Sequence, residues 1–170
     1  MKQIMVAGLA LLASGCVSMA DAGPGGRAAG GPVAIESDAI SYETGPCFGA
    51  CPVYKVTVSP DGRGTFEGRR FTAVTGERAF RITPAQYLAF AAQLAPLRPR
   101  EGSVRMSGEA CRQMATDLPS ADITWFSQIG NSQNYYFYFG CDMETNRAIA
   151  ERIRRAPALL PIQELIGGGR

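Results

Sequence analysis

Residues 53–68 read VYKVTVSPDGRGTFEG. Tyr54, Val56 and Val58 alternate with Lys55, Thr57 and Ser59, so one side of an extended chain is apolar and the other polar. Ser59-Pro60-Asp61-Gly62 places proline and glycine where a type I turn uses them. Gly64 to Gly68 then returns as the hairpin partner. Working outward, Ile40 to Glu43 alternates in the same way. Phe71 to Val74 and Arg78 to Thr83 read as a further hairpin around Thr75-Gly76-Glu77. A second strand pair follows over residues 121–128 and 134–139, around Gly130-Asn131.

Two helices interrupt these strands. Thr83-Pro84-Ala85-Gln86 has a cap, a first-turn proline and a capping-box glutamine. Tyr87, Phe90, Ala91, Leu94 and Leu97 then recur at helical spacing until Pro96 and Pro99 end the run. Asp142 is expected to cap a last helix reaching about Arg155. Pro161 then begins a short apolar turn through Ile166. Residues 98–120 show no clear period. The order is strands, helix, two strands, helix, without βαβ alternation. The expected fold is α+β: one domain, a mainly antiparallel sheet of five to six strands, and two helices on one face.

The amino terminus has a different composition. Ile4 to Ala13 is an apolar run of ten after Lys2. A membrane-spanning helix needs about twenty residues, so the run suits a secretory signal. It ends in Leu12-Ala13-Ser14-Gly15-Cys16, which resembles a bacterial lipobox. The resemblance implies diacylglycerol on Cys16 and cleavage after Gly15; ordinary cleavage after Ser18-Met19-Ala20 is the alternative. Residues 1–15 are thus expected to be a lipoprotein signal peptide. Residues 16–32 form the lipidated cysteine and a Gly/Pro/Ala-rich tether, and residues 33–170 the disulfide-bonded domain. The coil from Val17 to Pro32 would span roughly 20–25 Å. Val17 after the cysteine, by analogy with Gram-negative sorting, favours the outer membrane, with the domain facing the periplasm.

Export changes the meaning of the cysteines. Of five, Cys47, Cys51, Cys111 and Cys141 remain after Cys16 is assigned, an even number in an oxidising compartment. An extended chain would hold Cys47 and Cys51 about 13 Å apart, beyond the roughly 7 Å limit for a bridge. The glycines and prolines of GPCFGACP can turn the chain and close that gap. The expected pairs are Cys47–Cys51 and Cys111–Cys141. The crossed pairings would close longer loops and gain more chain entropy, so the preference rests on the turn.

The chain has no histidine. That excludes Ser-His-Asp and Cys-His catalysis and imidazole metal sites. Without Lys2, 16 basic residues stand against 15 acidic ones, so no overall basic field attracts nucleic acid. The CxxxCP spacing is superficially similar to that of copper chaperones of oxidase assembly, which also need a distant histidine. The run Tyr135 to Phe139 reads as core rather than a stacking platform. Arg147, Arg152, Arg154 and Arg155 read as an ion-paired helix face with Glu151. Asp117, with Glu109, is the candidate ligand or loop site in the long loop. No catalytic residue, metal or cofactor is implied.

Thr44 to Tyr54 (TGPCFGACPVY), followed by Asp61-Gly62 and Thr116-Asp117-Leu118-Pro119, is similar to domain-of-unknown-function family 6438 over residues 40–166. The resemblance implies an exported or lipid-anchored single domain and carries no activity or site residue. The expected function is a non-enzymatic envelope module. Its partners would be the membrane, through its lipid, and an envelope protein or cell-wall material. The alternative is thiol–disulfide or Cu(I) handling by Cys47 and Cys51.

Overall fold

The computed structural model describes residues 38–127 and 130–167. The expected signal peptide (residues 1–15), Cys16 and the expected tether (residues 16–32) therefore lie outside the described residues. Seven strands form one sheet: β1 (Ala39–Thr44), β2 (Val53–Val58), β3 (Arg63–Arg70), β4 (Gly76–Arg81), β5 (Ser103–Met106), β6 (Ser120–Phe126) and β7 (Ser132–Tyr138). Their order across the sheet is β4-β3-β2-β1-β6-β7-β5, and all pairs are antiparallel except β5 with β7. Three α-helices are α1 (Pro84–Leu94), α2 (Arg147–Arg155) and the short α3 (Gln163–Ile166).

The alternation in residues 53–58 fixes which face is buried. Val56 and Val58 are sealed with Ile40, Phe66, Ile123, Trp125 and Phe137 beneath Phe90 and Leu94 of α1 and Ile153 of α2. Lys55 and Thr57 are half-buried on the opposite, polar face. There Glu67, Lys55, Glu43 and Asp122 stand abreast on neighbouring strands. The α1 capping box forms as the sequence predicts, with Gln86 N–H donating to Thr83 Oγ1 at 3.2 Å and Thr83 N–H to Gln86 Oε1 at 2.9 Å.

Three expectations are corrected. The sheet has seven strands rather than five to six, because β5, only four residues long and mostly exposed, forms inside the segment read as aperiodic. Residues 71–74 are not a strand, so the second hairpin joins β3 directly to β4. Phe71 adopts φ 55°, and Ala73 and Val74 donate their N–H groups to Ile166 and Leu165 instead. A side chain at Gly68 would collide with the Val74 carbonyl, so this fold-back needs a glycine there. Finally, α2 begins at Arg147, not at Asp142. The Asp142 carboxylate accepts the N–H groups of Arg112 and Gln113 instead of capping the helix.

Where the described chain begins, Asp38 and Arg98 form an ion pair at 2.6 Å, with side chains 1% and 4% exposed. The contact is Coulombic, at an angle outside hydrogen-bond geometry, and Asp38 Oδ1, Arg98 Nη1 and Trp125 Nε1 have no hydrogen-bond partner among the described residues. Arg98 donates to Gln133 Oε1 at 2.6 and 3.1 Å. The Tyr87 hydroxyl donates to the Asp38 carbonyl. A buried pair of this kind adds little over an apolar replacement, yet breaking it strands one charge. Asp38→Ala should therefore lower unfolding stability by about 3–5 kcal/mol. Replacing both partners, Asp38→Leu with Arg98→Met, should restore most of it. Urea unfolding followed through the single tryptophan, Trp125, reads both; equal losses in the single and double variants would contradict this account.

Candidate functional site

The register sends one set of loops to one end of the sheet. Thr44 at the end of β1 lies opposite Ala121 near the start of β6, and Met106 at the end of β5 lies beside Phe137 near the end of β7. Residues 45–52, 107–119 and 139–146 therefore emerge together. Asp38 and the turn after Val58 lie at the other end, since Ile40 pairs with Val58.

The structure joins Cys47 to Cys51 with Cα atoms 5.8 Å apart, and Cys111 to Cys141 with Cα atoms 5.2 Å apart. In the chain-entropy account the short ring contributes about 2 kcal/mol and the longer loop nearly 4 kcal/mol. Thr44 closes the base of the first loop, donating to the Pro52 carbonyl at 2.8 Å and accepting from Tyr54 N–H at 3.0 Å. The Gly45 N–H donates to the Ser120 carbonyl at 2.8 Å, and the Phe48 N–H to the Asp117 carbonyl at 3.1 Å. The Phe48 ring is left 88% exposed at the loop tip.

Cys141 is buried, and Met114 bridges it in antiparallel fashion. Ala115 N–H donates to the Gly140 carbonyl and Asp142 N–H to the Gln113 carbonyl, both at 2.9 Å. Gly140 admits no Cβ because the Ala115 carbonyl lies against it. Asn146 Nδ2 donates to the Cys141 carbonyl at 2.9 Å. Hydrogen bonds from Gln113 N–H first, then from Arg112 N–H, hold the Asp142 carboxyl below its ordinary range.

This lock frames an open cleft of about 700 Å³, lined by residues 112–115 on one side and Gly140 and residues 142–145 on the other. A smaller cleft of about 230 Å³ shares Met143 and Glu144 with it and adds Phe139, Arg147, Ala150 and Arg154. Met114 and Met143 are half exposed. The Arg154 guanidinium lies 4.5 Å from the Phe139 ring centroid.

The residues anticipated from sequence fall around these clefts unevenly. Asp117 sits in the 107–119 loop at φ 68°, with its side chain on Thr116 Oγ1 and its carbonyl on Phe48. Glu109 is exposed in a single 3-10 turn, Gly108–Ala110. No ion pair or hydrogen bond joins the two among the described residues, so they do not form an acid pair. Tyr135, Phe137 and Phe139 are buried as core. Of the arginines, Arg155 meets Glu151 at 3.5 Å, and Arg152 exchanges backbone-directed bonds with Gln93. Arg147 and Arg154 turn to the small cleft. Sequence reasoning missed Arg112, Met114, Met143 and Glu144; their only signal is proximity in sequence to Cys111 and Cys141. Among the described residues no group of histidine, cysteine, aspartate and glutamate is placed to hold a metal ion. No helix there is long and apolar enough to cross a membrane.

The family model for the domain of unknown function DUF6438 matches residues 38–157, which span all seven strands. No curated protein matches the chain.

Because its folded-state pKa is depressed, Asp142 contributes its hold on the 112–113 backbone above the ordinary aspartate range. It loses that hold as pH falls through the depressed value. An NMR titration should place the Asp142 midpoint below that of an unperturbed aspartate. Amide exchange at Arg112 and Gln113 should quicken over the same acidic window. A midpoint at or above the ordinary value would contradict the assignment.

Proposed function

The chain belongs to the DUF6438 family of domains of unknown function, and on that premise we propose that it is an envelope lipoprotein whose domain is a non-enzymatic binding module. Lipid on Cys16 anchors it in the outer membrane, and the tether lifts the domain into the periplasm. The disulfide-bonded end of the sheet is presented to another envelope protein or to cell-wall material. One observation carries this reading. Both disulfides and both clefts lie at one end of the sheet, while the chain arrives from its amino-terminal side at the other. A domain tethered through Asp38 would hold its covalently stiffened loops outward. Stiffening lowers the entropy lost when loops are immobilised on a partner.

Cys16→Ser should remove the acyl mass from the mature protein and its partition into detergent. Photo-crosslinking residues placed at Phe48 and Met143 in cells should give discrete adducts, and one at Asp61, at the opposite end, should not. Adducts spread equally over all three positions would count against a presented end.

A second reading is favoured by the exposure of the Cys47–Cys51 ring: thiol–disulfide exchange or Cu(I) handling. The tip of this loop is open to solvent, where an attacking thiolate has access. It predicts a reduction potential above about −300 mV, the upper bound of the structural range. A lower potential, with no copper bound after reduction, removes this reading.

A further inference from the structure

Resting on the binding-module reading, we infer that the clefts beside Cys141 take an extended peptide in which acidic and apolar side chains alternate. Charge identifies half of that partner. Arg112, Arg147 and Arg154 border the two clefts, and none has an ion-pair partner among the described residues. Two carboxylates face these three guanidinium groups, Glu144 and Asp142, and the oxygens of Asp142 are already occupied by the N–H groups of Arg112 and Gln113, so the clefts keep a net charge of one positive unit. The combined surface is cationic and complements carboxylates, which arginine can bind through two parallel hydrogen bonds.

The apolar half comes from Met114 and Met143, exposed by 52% and 51%. Flexible thioethers suit irregular apolar side chains. The backbone points to a peptide rather than a small anion. Met114 lies in an antiparallel bridge whose two hydrogen bonds are made by residues 113 and 115. Its own N–H and C=O point away from that ladder and can pair with an added strand. The Cys111–Cys141 bond and the Asp142 lock hold this edge in place before anything binds.

The test uses the full chain with its disulfides intact and a short fluorescent peptide of alternating glutamate and leucine, followed by anisotropy at low salt. Binding is expected, and Arg147→Gln with Arg154→Gln should weaken it by about tenfold or more. Met143→Glu, at an exposed position, should weaken it comparably by repulsion and guards against a folding defect in the arginine variant. Equal binding by an alternating lysine–leucine peptide, or by an all-glutamate peptide, would overturn the inference, as would unaltered affinity in both variants. If no acidic peptide binds while crosslinks at Met143 still form in cells, this inference fails and the binding-module reading stands. If both are absent, both fail.

Discussion

Strand β1 is the element on which the rest depends, because it alone joins the two halves of the sheet. On one side it pairs with β2, which leads to β3 and β4; on the other it pairs with β6, which leads to β7 and β5. Both of its ends are fixed by contacts beyond its own ladder. At its start Asp38 meets Arg98 and Tyr87. At its finish Thr44 holds Pro52 and Tyr54, and Gly45 reaches Ser120. A strand hydrogen-bonded on both edges cannot slip by one residue without turning Ile40 and Tyr42 toward solvent. The register that fixes the loops at the far end is thus set by the core.

Those loops have little core of their own. Residues 112–117 are exposed, and Leu118 is only half-buried. Apolar burial therefore cannot hold residues 107–119 in place, and covalent and polar ties take over that role. The Cys111–Cys141 bond fixes one side, and the Asp142 carboxylate and the Met114 bridge align the backbone beside it. The Phe48 to Asp117 bond then docks the small ring onto the same loop. The result is a rigid, polar rim with isolated exposed apolar groups, which suits recognition better than further packing.

How much of this was legible in the sequence depended on the range of the cause. The β2–β3 hairpin and the α1 capping box are dictated by residues within one turn of each other, and residues 53–68 and 83–86 show both. Strand β5 has no such local cause. Its four residues are mostly exposed, and its partner in a parallel ladder lies some thirty positions away, at Asn134 to Phe137. Asp142 illustrates a competition that sequence cannot decide. An aspartate before a helical pattern reads as a cap, but the fold brings the free N–H groups of Arg112 and Gln113 nearer, and the side chain serves those instead. The Asp38–Arg98 pair was likewise silent, since neither residue lies in a periodic run. The cleft inherits this limit, because Met114 and Met143 meet only after the chain between them has formed β6 and β7.

The placement of Asp38 bears on the tethered arrangement as well as on stability. In the proposed lipoprotein any pull from the membrane arrives at the start of β1, along the strand axis. An edge strand loaded this way could peel off one hydrogen bond at a time. A central strand, antiparallel to both neighbours, instead shares the load over two whole ladders. The buried ion pair stands ahead of those ladders, so the charge contact and the Tyr87 bond must give way before the first rung is strained. That offers a physical reason for a costly buried charge at this position, where an apolar pair would pack as well: a pair whose separation strands a charge resists opening over a longer distance than apolar contact does. On this view the ion pair, β1 and the two disulfides form one continuous path from the tether side to the exposed loops.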